Sequence, residues 1–123
     1  MNDAYRTTLE KLSHVPGVRG ALIALADAGV PVVEELQPDV SGPAIAALAG
    51  AVFRRTALAA GSANFGALES LQLEAEGGQV LIGGAGELIV VALVSDDAQI
   101  GRARVEVARA AQSLRQSGDA AFS

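Results

Sequence analysis

Apolar and polar positions follow two different periods along the chain, and the switches between them mark out eight elements. In Asp3 to Ser13, Tyr5, Leu9 and Leu12 recur at helical spacing, which predicts a short amphipathic helix that Pro16 and Gly17 end. "GALIALADAGVPVVEEL" predicts a hairpin, with a strand over Ala21 to Ala26, a turn at Asp27-Ala28-Gly29 and a return strand over Val30 to Leu36. Pro31 cannot donate to a sheet ladder, which puts the return strand at an edge. "SGPAIAALAGAVFRRTALAAG" is the clearest helix: Ser41 caps it, Pro43 is tolerated in its first turn, and Gly61 follows at its end.

The second half reads mainly with strand period. Leu71, Leu73 and Ala75 alternate with Ser70, Gln72 and Glu74, as in a half-buried strand within Leu68 to Ala75. Turns are expected at Gly77-Gly78 and over Gly84 to Gly86, with a strand from Val80 to Gly83 between them. Leu88 to Val94 is apolar at every position, so it belongs at the centre of a sheet covered on both faces. "SDDAQIGRARVEVARAAQSLRQ" closes the series as a helix capped by Ser95, Asp96 or Asp97, with Ile100, Ala103, Val107, Ala111 and Leu114 inward. The order α-β-β-α-β-β-β-α, with short loops between strands, predicts an α+β fold, a three-layer α-β-α sandwich on a five-stranded antiparallel sheet. Residues 1–117 form one domain, and 118–123 are expected to fray.

The middle helix is too apolar for one buried face. Ile45, Leu48, Ala49, Val52, Thr56 and Ala59 cluster on the side expected to meet the sheet. A second side collects Ala46, Gly50, Phe53, Ala57 and Ala60, and only Arg54 and Arg55 interrupt the circle. Either the alanines are exposed helix formers, or a second helix packs there, most simply from another copy of the chain. The Leu68 to Ala75 strand has no Pro or Lys to blunt an edge, which suits pairing with its own symmetry mate.

The stretch "GGQVLIGGAGELIVVALV" raises the question of a phosphate-binding loop. A Walker loop needs Gly-Lys-Ser/Thr opening a helix, yet the only lysine is Lys11, and "GGAGEL" opens a strand. These glycines read as hairpin corners. His14 is the only histidine and sits beside a Pro-Gly turn, where a surface or capping role outweighs a catalytic one. Asp96-Asp97 falls at a helix start and Glu34-Glu35 on an edge strand, so both pairs have structural readings ahead of metal binding. No cofactor and no metal are expected.

Composition narrows the classes further. A formal net charge of -5 with 3% aromatic residues disfavours nucleic acid as a partner. The absence of cysteine excludes disulfides and thiol chemistry and fits a cytoplasmic setting. The polar N-terminus has no apolar signal-peptide core, and the Leu88 to Val94 run is far shorter than the ~20 residues of a membrane span. Membrane insertion is therefore not expected.

Taken in order, these features resemble the roadblock family, the dynein-light-chain-like and profilin-like domain also found in bacterial partners of Ras-like GTPases. The resemblance runs from about Leu9 to Leu114. It rests on "LSHVPGVRGALIALADAGVPV", the Ala/Leu-rich helix, the "LESLQLEAEGGQVLI" hairpin, "ELIVVALV" and "IGRARVEVARAAQSL". It implies a non-enzymatic homodimer joined through the middle helix and third strand, which here selects Ala46, Gly50, Phe53, Ala57, Leu71 and Leu73 as interface residues. It implies a regulator or scaffold for a Ras-like small GTPase. Arg54 and Arg55, on the helix expected at the dimer surface, are either contacts to that partner or solvated residues. A structural adaptor in a motor or sensor-kinase complex, and a small-ligand sensor domain, are the competing readings.

Overall fold

The computed structural model describes residues 2–96 and 99–122. Its elements are α1 (Asn2–Ser13), β1 (Val18–Leu25), β2 (Val30–Glu35), α2 (Gly42–Ser62), β3 (Ser70–Ala75), β4 (Gly78–Ala85), β5 (Leu88–Ser95) and α3 (Ile100–Phe122). The strands form one antiparallel sheet in the order β2-β1-β5-β4-β3. Helices α1 and α3 cover one face and α2 the other, the expected α-β-α sandwich.

Strand β5 lies at the centre because it can be buried on both sides. Val90, Ala92 and Val94 join Leu9, Leu12, Val107 and Leu114 in the core beneath α1 and α3. Ile89 and Val91 join Leu22, Ile82 and Phe53 in the core beneath α2. Strand β2 is an edge, as Pro31 requires, and the ladder shifts register between Ile23 and Ala24, so that Val32 bulges out between the paired Pro31 and Val33. The β1-β2 turn places Gly29 at φ 64°, where a side chain would be strained.

Several local expectations change. The Gly84 to Gly86 turn shrinks to Gly86-Glu87, because Gly83 and Gly84 remain in β4 and pair with Val90 and Ile89. Their missing side chains admit the helices. A Cβ on Gly84 would lie 2.6 Å from Phe53 Cζ, and one on Gly83 would lie 3.0 Å from Val107 Cγ1 on the opposite face. Likewise Gly78 opens β4 and pairs with Ala75, leaving Glu76-Gly77 as the preceding turn. The C-terminus of α2 is set by Asn64, not Gly61. Asn64 takes φ 64°, its N–H donates to the Gly61 carbonyl, and the Phe65 N–H donates to the Ala60 carbonyl, the paired bonds of a Schellman ending.

At the start of α3, Ser95 is the last residue of β5 and its hydroxyl donates to the Gly17 carbonyl, while the first helical bond runs from the Ala103 N–H to the Gln99 carbonyl. Ser95 is therefore not the cap. Asp96 lies in the turn after β5, and Asp97 lies outside the described residues. Helix α3 continues to Phe122, through most of the segment expected to fray. Strand β3 is not half-buried within one chain: Leu71 is partly covered, whereas Leu73 and Ala75 are exposed.

Candidate functional site

Helix α2 begins where the sequence places it. The Ser41 hydroxyl accepts from the Ala44 N–H at 3.2 Å, and Pro43 occupies the first turn. Its buried stripe is Gly42, Ala46, Ala49, Gly50 and Phe53. Three of the residues expected at a dimer surface, Ala46, Gly50 and Phe53, thus face the chain's own sheet and hairpin. Phe53 is the only aromatic residue in the helix and fills the hollow over Gly84. Gly50 is indeed a close-approach position, but its neighbour is the β1-β2 hairpin: a Cβ there would lie 2.8 Å from the Ala26 carbonyl oxygen. Helix α2 is thereby rotated so that its one aromatic ring fills the space left by the glycine of β4.

That rotation turns other apolar groups outward. Leu48, expected to meet the sheet, is 69% exposed, and Leu58 is 73% exposed. Val52 and Ala57 are half-buried, and Ala59 is open to solvent. On the same side of the sheet, β3 presents Leu71 and Leu73, in register with Ile82 and Val80. Leu71 packs partly against the α2 core, whereas Leu73 is 38% exposed. The side of the molecule that carries α2 therefore shows uncovered leucines on both the helix and the edge strand. Phe65, just past the end of α2, adds an aromatic ring that is 83% exposed.

The two arginines part company. Arg54 Nη1 donates to the carbonyl oxygens of Ala26 at 2.6 Å and Asp27 at 2.9 Å, tying α2 to the β1-β2 turn. Its placement is thus explained within the chain. Arg55, the next residue, is exposed on the outward side. Sequence reasoning set Leu48 against the sheet because the two apolar sides of α2 carry similar numbers of residues. The available signal was size, since Phe53 flanked by Ala and Gly marks the side with most to gain from burial.

The remaining chemistry is sparse. His14 is exposed, with Nδ1 2.6 Å from the Glu10 carbonyl oxygen, a position at the end of α1. Among the described residues no group of three His, Asp or Glu side chains is placed to hold a metal ion. By length and composition α2 would be able to cross a membrane, in contrast to the sequence expectation, because its alanines raise the mean hydropathy to 1.3 over a span that β5 could not supply. Here its inner stripe is packed on the sheet.

No protein-family model matches the chain. Among curated proteins it is 29% identical over 107 residues to the uncharacterized protein MJ1340 of Methanocaldococcus jannaschii, covering 87% of this chain and 93% of that protein. Among solved structures it is similar to Myxococcus xanthus MglB, with TM-score 0.88 and 11% identity over 96% of this chain and 90% of that one. It is also similar to the gliding protein MglB of Thermus thermophilus, with TM-score 0.81 and 18% identity over 93% of this chain and 87% of that one. A Roadblock/LC7 domain from Streptomyces avermitilis gives TM-score 0.80 and 22% identity over 90% of this chain and 94% of that one. With the strand order, the helix placement and these likenesses in agreement, the chain has the roadblock-type fold.

Proposed function

We propose that this chain is a non-enzymatic, cytoplasmic homodimer that regulates or scaffolds a Ras-like small GTPase and modulates its nucleotide cycle, without inserting into a membrane. The observation that carries the reading is the uncovered outer side of α2, where Leu48 and Leu58 stand exposed on a helix with no acidic residue. Monomeric soluble domains seldom leave adjoining apolar surface of this kind open. The dimer joins α2 to the partner subunit's α2 and β3 to its β3, making one sheet across both copies. Leu71, Leu73 and Ala57 remain in this interface, and Leu48 and Leu58 replace Ala46, Gly50 and Phe53. The likeness to MglB and the roadblock resemblance of the sequence support a GTPase as the further partner, and Arg55 is the exposed cation available to it.

Binding and GTP turnover of the Ras-like GTPases encoded in the same genome test this. A change in hydrolysis or exchange with the chain in excess supports a regulator, and Arg55→Glu should weaken GTPase binding, with the dimer followed separately because Arg55 shares the outward side of α2 with Leu48 and Leu58. Binding without any effect on the nucleotide would make the protein an adaptor. Failure to bind any of those GTPases by calorimetry would sink the GTPase reading.

A further inference from the structure

The two edges of the sheet are unequal. Strand β2 is blunted by Pro31 and by the bulge at Val32. Strand β3 keeps an unbroken register with β4, from Ser70 opposite Gly83 to Ala75 opposite Gly78. A regular edge of this kind is a template for a further strand. The ladder also shows which backbone groups are free. The Gly84 N–H donates to the Glu69 carbonyl, and bonded pairs alternate with non-bonded ones along an antiparallel pair. Leu71, Leu73 and Ala75 therefore turn their backbone groups towards β4, whereas Ser70, Gln72 and Glu74 turn theirs to the open edge. The Glu76-Gly77 turn requires the same alternation, because Ala75 and Gly78, which flank a two-residue turn, form a bonded pair.

Symmetry then restricts how a second copy can pair. Across a two-fold axis normal to the sheet, residues directly opposite each other put their side chains on one face, and so do the two copies of any residue. One residue of β3 must therefore lie on the axis, opposite its own copy. Glu74 there would set two carboxylates face to face, which is unfavourable. An axis near either end of β3 shortens the shared ladder, which leaves the central residues Gln72 and Leu73. With Leu73 on the axis, Gln72 bonds to the partner's Glu74, but Ser70 falls opposite the turn residue Glu76. With Gln72 on the axis, Ser70, Gln72 and Glu74 all find outward-facing groups within the partner's β3.

We propose that the β3 edge seats β3 of a second copy of this chain with Gln72 on the two-fold axis. The inference rests on the β3-to-β3 dimer proposed above and specifies which residues meet in it. Leu71 lies opposite the partner's Leu73 on the side that carries α2. This is a non-bonded pair, in which side chains approach most closely, and it covers a leucine that is 38% exposed in one chain. On the other side Ser70 lies opposite the partner's Glu74, where its hydroxyl donates to the carboxylate.

The chain has no cysteine, so one introduced thiol can form a disulfide only with another copy. Residues opposite each other in a bonded pair have Cα atoms about 5.5 Å apart, within the roughly 4.4–6.8 Å range of disulfides. Diagonal neighbours are separated by about 7–8 Å, too far to bridge. With oxidised glutathione, Gln72→Cys should run as a covalent dimer on non-reducing electrophoresis. Leu71→Cys and Leu73→Cys should each remain single chains, and mixing those two variants should restore the cross-link at least ten-fold over either alone. All three positions are at least partly exposed on an edge strand, and circular dichroism checks that the variants fold. Light scattering on the wild-type chain separates the register from the dimer. A monomer removes both. In an intact dimer, cross-linking of Leu73→Cys in place of Gln72→Cys, or equal rates at all three positions, overturns the register alone. An intact dimer that no variant cross-links puts β3 outside the interface.

Discussion

Removing the exposed leucines of α2 should weaken dimerisation without harming the protomer. Leu58 is 73% exposed and Leu48 69% exposed in the isolated chain, so truncation costs the monomer little. Fully burying a leucine contributes about 1.5–3 kcal/mol, and scaling by the exposed share leaves about 1–2 kcal/mol per side chain for the interface to gain. Two-fold symmetry uses each position twice, so Leu58→Ala should cost the dimer about 2–4 kcal/mol, or about 30- to 1,000-fold in the dissociation constant. Analytical ultracentrifugation over a dilution series measures this directly, with circular dichroism as the check on folding. If Leu48→Ala and Leu58→Ala both fold and dimerise with unchanged affinity, the outer side of α2 is not the interface. A wild-type chain that is monomeric at micromolar concentration would refute the same reasoning at once.

Three further predictions concern the protomer. Gly84→Ala should lower the urea midpoint by an amount equivalent to about 1–3 kcal/mol, the usual cost of overpacking, because its Cβ would meet Phe53 Cζ at 2.6 Å; Phe53→Leu in the same chain should restore part of the loss. Arg54→Met should remove the two bonds to the hairpin carbonyls, destabilise the fold by at most about 1.5–3 kcal/mol and speed amide exchange around Asp27 and Gly29. Ser41→Ala should cost about 0.5–2 kcal/mol in the same denaturation assay through loss of the α2 cap, leaving dimer affinity unaltered.

Much of the fold was legible because the relevant signals are local. Pro31 marked an edge strand, the unbroken apolar run at Leu88 to Val94 marked a central one, and Ser41 marked a helix start. All three hold in the structure. The strand glycines were not legible as such. Gly84 read as a turn residue by composition, and only Phe53 on one face, with Val107 over Gly83 on the other, both distant in sequence, explain why the strand ends in small residues. The orientation of α2 failed for a related reason. A helix apolar on both sides has two nearly equivalent rotations, and the choice was made by the fit of Phe53 over Gly84 and of Gly50 under the hairpin. The Arg54 bond to residues 27 and 28 positions away likewise left no trace in the periodicity.

The Gly83-Gly84 pair also sets how the sandwich responds to force. On either side of this point the sheet has no side chain of its own, so Phe53 and Val107 bear on the same few backbone atoms from opposite directions. Elsewhere a branched side chain can yield by changing rotamer and absorb a small displacement. Here there is no such cushion. A push on α2 that drives Phe53 inward must bend β4 or lift α3, so the narrow waist couples the two outer layers directly.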